Sequence, residues 1–174
     1  GAEVLRAAGC TAIVAVGGGS SMDSAKIIAC TRTSDDSPDT WVGLNKVPDD
    51  VLPIYAIPTT SGTGSEATMG AVIKDPEQKL KHIIVGEDLL PQAVALDPDL
   101  LLGLPAPVTA ATGIDALTHG IEAYICIWDR GTRKENGRLA IQGVFRWLER
   151  AVQHPEDVEA RQGMAVAAYH AGIA

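Results

Sequence analysis

Residues 12 to 29 constrain the fold more than any other stretch. Ala12-Ile13-Val14-Ala15-Val16 is an apolar, β-rich run of strand length that ends abruptly in Gly17-Gly18-Gly19-Ser20-Ser21. A segment with helical character, Met22 to Cys30, follows at once. A strand that passes through glycines straight into a helix is a βα unit, and such units build sheets with helices packed on their faces. The same arrangement aims backbone N–H groups of the helix start at an anion, and glycines let a phosphate approach the chain. Ser20 or Ser21 is the expected helix cap. The spacing is not G-x-G-x-x-G, so a phosphate-facing turn and an ordinary tight α/β turn are both open readings of this segment alone.

Further along, the chain divides into two halves. Apolar runs at Ala12–Val16, Leu52–Ile57, Gly70–Ile73, His82–Val85 and Ala93–Leu96 read as strands. Residues 1 to 8 read as a helix, and residues 32 to 50 as a polar surface excursion around Trp41. After Pro105 and Pro107 the strand signals stop, and helices are expected at about 108–127, 134–153 and 156–173. In the second of these Leu139, Val144, Phe145, Leu148 and Val152 fall near one face. The expected domains are therefore residues 1–104 and 105–174.

Two further segments carry chemistry. Ile57-Pro58-Thr59-Thr60-Ser61-Gly62-Thr63-Gly64-Ser65-Glu66 follows a strand with a loop rich in hydroxyl donors, a second phosphate- or ribose-facing candidate. In Gly113-Ile114-Asp115-Ala116-Leu117-Thr118-His119, Asp115 and His119 stand four apart in a helical run. That spacing stacks a carboxylate above an imidazole on one helix face. A hard oxygen converging with a borderline nitrogen suits a divalent transition metal such as Fe(II) or Zn(II). The same spacing also makes a plain i,i+4 contact on a solvated face.

Bulk properties exclude several classes. A net charge of −8 argues against nucleic acid, whose affinity comes largely from Lys and Arg on phosphates. No apolar run approaches the roughly 18–20 residues of a membrane span. Three scattered cysteines (Cys10, Cys30 and Cys126) read as buried, reduced thiols of a cytoplasmic protein rather than a disulfide frame.

Together, Gly17-Gly18-Gly19-Ser20-Ser21-Met22-Asp23-Ser24-Ala25-Lys26, the 57–66 loop, Leu96-Asp97-Pro98 with Leu104-Pro105, and Thr112 to His119 resemble the iron-containing (group III, metal-dependent) alcohol dehydrogenase family. Their order and spacing follow the family to about residue 127, and more loosely beyond. The resemblance implies a Rossmann-like α/β nucleotide-binding part followed by an all-helical metal-binding domain (dehydroquinate synthase-like architecture), both incomplete. It implies NAD or NADP and Fe(II), with Zn(II) in some relatives, interconverting an alcohol and an aldehyde or ketone. Gly18, Gly19 and Ser20 would hold the pyrophosphate. Thr59, Thr60 and Thr63 would line the adenosine and ribose side, and Ser65 would approach the nicotinamide half. Lys81 is a candidate for a cofactor hydroxyl or phosphate, or an exposed lysine beside Lys79. Asp23 and Lys26 are candidates beside the turn, or a helix-start charge and a solvated lysine.

Asp115 and His119 would be the first two of four metal ligands, an Asp and three His. Neither His154 nor His170 stands in a context like the remaining two. Glu122 could orient a ligand or pair with Arg130 or Arg133. The Trp128–Gly137 segment is more charged than the family's usual turn. The expectation is a central piece of a dehydrogenase, inactive as this 174-residue chain, with the family's habit of homodimers. The alternatives are a non-catalytic nucleotide-binding remnant and a dehydroquinate synthase-type lyase, whose pattern the 57–66 loop fits poorly.

Overall fold

The computed structural model describes residues 1–76, 78–128 and 131–174. Its strands are β1 (Ile13–Gly17), β2 (Gly43–Leu44), β3 (Ile54–Pro58), β4 (Gly70–Asp75), β5 (Leu80–Val85) and β6 (Ala93–Val94). Its α-helices are α1 (Ala2–Ala7), α2 (Gly19–Cys30), α3 (Ala106–Ile125), α4 (Thr132–Gln153) and α5 (Val158–Ile173). The strands β1, β3 and β6 form a parallel sheet in that order, with Ile13 opposite Ile54 and Gly17 opposite Pro58. Two parallel strands need a crossover, and α2 belongs to the connection between β1 and β3. Its Met22 and Ala25 bury against Ala15 and Ala56 of the sheet. A second sheet, in the order β2–β5–β4, pairs β4 and β5 as an antiparallel hairpin and β2 parallel to β5.

Trp41 corrects the expected surface excursion. It is 3% exposed and packs with Ile27, Cys30, Ala71, Ile84 and Leu89, so the polar stretch around it is anchored by this indole, with Val42 and Val47 beside it. Charges cover the outside of that stretch, and an Arg6–Asp35 ion pair ties it to α1.

The three long helices pack through small residues. Ala116, Ala140, Val144, Ala151, Ala160, Met164, Ala167, Ala168 and Ala171 form their core. A side chain on Gly137 would lie 2.8 Å from the Gly120 carbonyl, so these two positions let α3 and α4 approach closely. In α4 the buried face runs through Asn136, Ala140, Val144 and Ala151. Phe145 lies about 100° further round the helix and is 77% exposed, which corrects its placement on the apolar face. Arg161 (2% exposed) crosses the junction between halves, donating to the Leu104 and Pro155 carbonyls and to Thr109 Oγ1 at 2.6 Å. At the start of α5 the Asp157 carboxylate accepts from the Ala160 N–H at 3.0 Å.

Two other expectations are corrected here. The helix after β1 starts at Gly19 with Gly18 as its N-cap residue and no side-chain cap, so neither Ser20 nor Ser21 caps it. Of the three free thiols only Cys30 is buried; Cys10 and Cys126 are exposed.

Candidate active site

The candidate cofactor turn begins where β1 ends. Gly17 has φ of +151°, and a Cβ there would lie 2.6 Å from Ser21. Ser21 and Met22 donate their N–H groups to the Gly18 carbonyl, at 3.0 and 3.1 Å. Gly19 and Ser20 are first-turn residues of α2, whose N–H groups have no carbonyl one turn earlier to bond. A Cβ on Gly19 would lie 2.7 Å from Thr63 Oγ1, and one on Gly18 3.3 Å from Thr60. The two candidate loops are therefore stacked on each other through these glycines.

A buried polar network fixes the second loop. Lys26 is fully buried, not solvated, and its ammonium donates to the carbonyls of Ser65 (2.7 Å), Thr68 (2.8 Å) and Gly70 (2.7 Å). Burial pulls its pKa down to about 8, against the attraction of Asp23 and Glu66. Glu66 is buried too, and burial raises its pKa, opposed by a backbone hydrogen bond and by Lys26. Ser65 Oγ donates to Asp23 Oδ1 at 2.6 Å, and Asp23 Oδ2 accepts from the Val72 N–H at 3.1 Å. The Asp23 carboxylate thus links α2, the loop and β4.

These elements frame a cleft of ≈ 820 Å³. One wall is the α2 start with Gly19, Ser20, Asp23 and Ser24. The loop supplies Thr63, Ser65, Thr68 and Gly70, and the β4–β5 hairpin supplies Val72, Ile73, Lys74 and Lys81. The far wall is α3, through Asp115 and His119. Eight of the expected residues, Gly19, Ser20, Asp23, Thr63, Ser65, Lys81, Asp115 and His119, therefore share one cleft. Gly18, Thr59 and Thr60 lie outside its lining, where Thr60 packs on Gly18 and the Thr59 N–H donates to the Gly17 carbonyl at 2.9 Å. Ser24, Thr68, Val72 and Lys74 were missed. Lys74 on β4 pairs directly with Lys81 on β5, so the cross-strand register of the hairpin, read from the candidate Lys81, was the signal that could have found it.

Asp115 Oδ1 and His119 Nε2 stand 3.7 Å apart, with side chains 45% and 43% exposed. That separation is too long for a hydrogen bond. It is close to the roughly 3.0–3.4 Å between two ligands that share a cation at about 2.1 Å. The pair thus fits a divalent metal as two corners of its coordination shell. Glu122, one turn on, is exposed. Its suggested partner Arg130, and Asp129 of the charged segment, lie outside the described residues. His154 stands 4.0 Å from Glu156, and His170 Nδ1 lies 2.7 Å from Asn136 Oδ1; among the described residues neither shares a cluster of metal-ligating groups with Asp115. A second concavity of ≈ 800 Å³ between α4 and α5, lined by Trp147, Val166 and His170, holds none of the expected groups.

The family model for iron-containing alcohol dehydrogenase matches residues 1–98, and that for the C-terminal part of the same family matches residues 109–174. The chain belongs to the iron-containing alcohol dehydrogenase family. Among its family relatives, the NAD-dependent methanol dehydrogenase of Bacillus methanolicus is 41% identical over 177 residues, covering 100% of this chain and 46% of that protein. The 1,3-propanediol dehydrogenase of Citrobacter freundii is 40% identical over 174 residues, covering 100% of this chain and 45% of its own length. The crystal structure of sulfoacetaldehyde reductase from Bifidobacterium kashiwanohense in complex with NAD+ superposes with a TM-score of 0.93 at 37% identity. It covers 99% of this chain and 46% of that one. The chain therefore spans under half the length of the relatives it matches. The family's arrangement, a Rossmann-like sheet followed by helices, is the arrangement found here. Among the described residues, no helix is long and apolar enough to cross a membrane.

Proposed function

We propose that this chain carries the dinucleotide-binding site and two of the metal ligands of an NAD-linked, metal-dependent alcohol dehydrogenase acting on a small alcohol and its aldehyde or ketone. The observation that carries the reading is the single cleft shared by the α2 start, Lys81, Asp115 and His119. Residues 1–104 supply the nucleotide wall and residues 105–174 the metal wall. The Gly19 and Ser20 N–H groups receive the pyrophosphate, helped by the positive end of the α2 dipole and by the charges of Lys74 and Lys81. Thr63 offers a hydroxyl to the cofactor sugar. Asp115 and His119 hold the divalent cation, and Fe(II) or Zn(II) bound there supplies Lewis acidity that lowers the pKa of the alcohol. NAD is the favoured dinucleotide, because the methanol dehydrogenase relative is NAD-dependent and the sulfoacetaldehyde reductase structure holds NAD+. Free, unpaired thiols fit a reducing compartment such as the cytoplasm.

Two protein ligands hold a metal weakly and leave it open to water, so the isolated 174-residue chain binds NAD+ but does not turn over. Calorimetric titration with NAD+, and anaerobic titration with Fe(II), test this on the parent chain and on Asp115→Ala and His119→Ala. The expected result is NAD+ binding that both substitutions leave unchanged, and a weak Fe(II) site that is present in the parent and lost in both variants. Tight binding of one metal per chain that both substitutions abolish would refute the incomplete site. Absence of NAD+ binding would refute the nucleotide site. NAD+ binding with no Fe(II) site that depends on Asp115 and His119 would favour a non-catalytic nucleotide-binding protein.

A further inference from the structure

We propose that Asp39, Asp75 and His82 form a site for one divalent transition cation on the side of the β4–β5 hairpin that faces away from the cofactor cleft. Three separate elements meet there. Asp39 sits in the 3-10 turn Pro38–Trp41, Asp75 ends β4, and His82 lies on β5. Burial of Trp41 in the core presses that turn against the hairpin. Pairing of Ile73 with His82 and of Asp75 with Leu80 makes Asp75 and His82 diagonal neighbours on one face. One ligand atom from each of the three lies within 4.8 Å of the other two.

His82 shares one long hydrogen bond with Asp75, and the arrangement of all three groups also has the spacing of ligands around one cation. His82 Nε2 lies 3.4 Å from Asp75 Oδ2 and 3.7 Å from Asp39 Oδ1. One ring nitrogen gives at most one linear hydrogen bond, yet two carboxylates converge on it, each at or beyond the outer limit of such a bond. Two ligands of a tetrahedral cation at about 2.0–2.1 Å stand about 3.4 Å apart. The other oxygen of each carboxylate has its own donor. Ser37 Oγ donates to Asp39 Oδ2 at 3.1 Å, and the Gln78 N–H to Asp75 Oδ1 at 2.9 Å. Such outer contacts hold ligating carboxylates in orientation.

The donor set selects the kind of ion. One imidazole nitrogen with two carboxylate oxygens suits Zn(II), Co(II) or Mn(II), whereas Ca(II) and Mg(II) prefer oxygen-only shells. Two negative carboxylates and a neutral imidazole balance one divalent cation. Asp75 and His82 are 14% and 18% exposed and Asp39 is 64% exposed, so the ion enters from the Asp39 side and keeps room there for water. The site is separate from Asp115 and His119, since none of its three residues lines the cleft. Strand alternation puts Lys74 and Lys81 on the opposite face of the same hairpin. A bound cation would therefore brace the wall that carries those lysines.

The test uses the tag-free chain with Asp115→Ala and His119→Ala, which removes the other pair of ligands. Co(II) is titrated in while its visible d–d absorption is followed, and Zn(II) is then added as competitor. The expected result is one Co(II) per chain, displaced by Zn(II), and a thermal midpoint raised by Zn(II). Asp39→Asn in the same background should weaken binding at least about tenfold, because losing an outer contact alone costs about 10–100-fold. Asp39 is exposed, so this variant keeps its fold, and an unshifted metal-free midpoint checks that it has. Binding that Asp39→Asn leaves unchanged would overturn the proposal, as would no stoichiometric binding below about 1 mM.

Discussion

Gly64 and Gly172 make the sharpest quantitative prediction. Gly64 has φ of +60°, and a Cβ placed there would lie 2.6 Å from Gly172 Cα, 2.7 Å from Gly172 N and 2.8 Å from the Ala168 carbonyl. All three contacts are backbone, so no flexible side chain can swing aside. Gly64→Ala therefore carries the left-handed cost of about 1–2 kcal/mol and an overpacking cost of about 1–3 kcal/mol as α5 is pushed off the loop. The sum is about 2–5 kcal/mol, a large part of a typical stability of about 5–15 kcal/mol. Gly172→Ala meets the same contact from the other side, with its Cβ 2.3 Å from the Gly64 carbonyl. Position 172 lies in a helix, so alanine there regains up to about 1 kcal/mol of propensity and escapes the left-handed cost. Urea unfolding should rank Gly64→Ala below Gly172→Ala by about 2 kcal/mol. The double variant should fall short of additivity by at least about 0.5 kcal/mol, since a displaced α5 leaves room for the second methyl. A Gly64→Ala protein within about 0.5 kcal/mol of the parent would refute the backbone contact. An additive double variant would refute the shared one.

Lys26→Met should cost about 3 kcal/mol, because the Ser65, Thr68 and Gly70 carbonyls lose a charged donor. Its pH dependence has a definite sign. With a native pKa of about 8 against 10.5 unfolded, the unfolded chain alone keeps this proton between those values, so parental stability gains from Lys26 as pH rises through that window. Urea unfolding from pH 7 to 10 should show the gap between parent and variant constant below about 8 and wider above it; a gap that narrows would refute the lowered pKa. Thiol titration should find Cys10 and Cys126 reactive in the native chain. Cys30, whose pKa burial pushes up to about 12, should react only on unfolding.

The sequence made the elements legible because their signals are local. Glycines between an apolar run and an amphipathic run mark a βα turn whatever packs around it, and the expected strands and helices fall within a few residues of those observed. The exception is the α2 start, which moved three residues toward the glycines because Gly18 caps it by backbone alone. Phase errors, such as Phe145, came from apolar residues that this chain leaves exposed. The site was less legible, since a polar side chain reads alike whether it binds a ligand or braces a loop. Lys26 stands among short-range signals of a solvated helix, and only its tertiary partners 39 to 44 residues away reveal that it is buried. Thr60 likewise has the composition of a binding loop but spends its side chain on Gly18.

That division of labour explains how two sites come to face one another. The 57–66 loop is too short and too polar to hold its own shape, and it is fixed from three directions. Lys26 and Asp23 grip it from α2, Gly64 abuts α5, and a Cβ on Gly62 would strike Thr112 Cβ at 2.7 Å on α3. Thr112 precedes Asp115 by less than one turn, so the loop that packs behind the glycine turn also sets the height of the helix face carrying the proposed metal ligands. Cleft width is then governed by glycine contacts rather than by the ligands. A loop displaced by a methyl at Gly62 would move Asp115 relative to Gly19, weakening the joint placement of dinucleotide and metal while leaving each wall folded. Hydroxyl-rich and glycine-rich character in one loop follows from this double duty: Thr63 and Ser65 face the cleft or the network, and Gly62 and Gly64 admit the neighbouring helices.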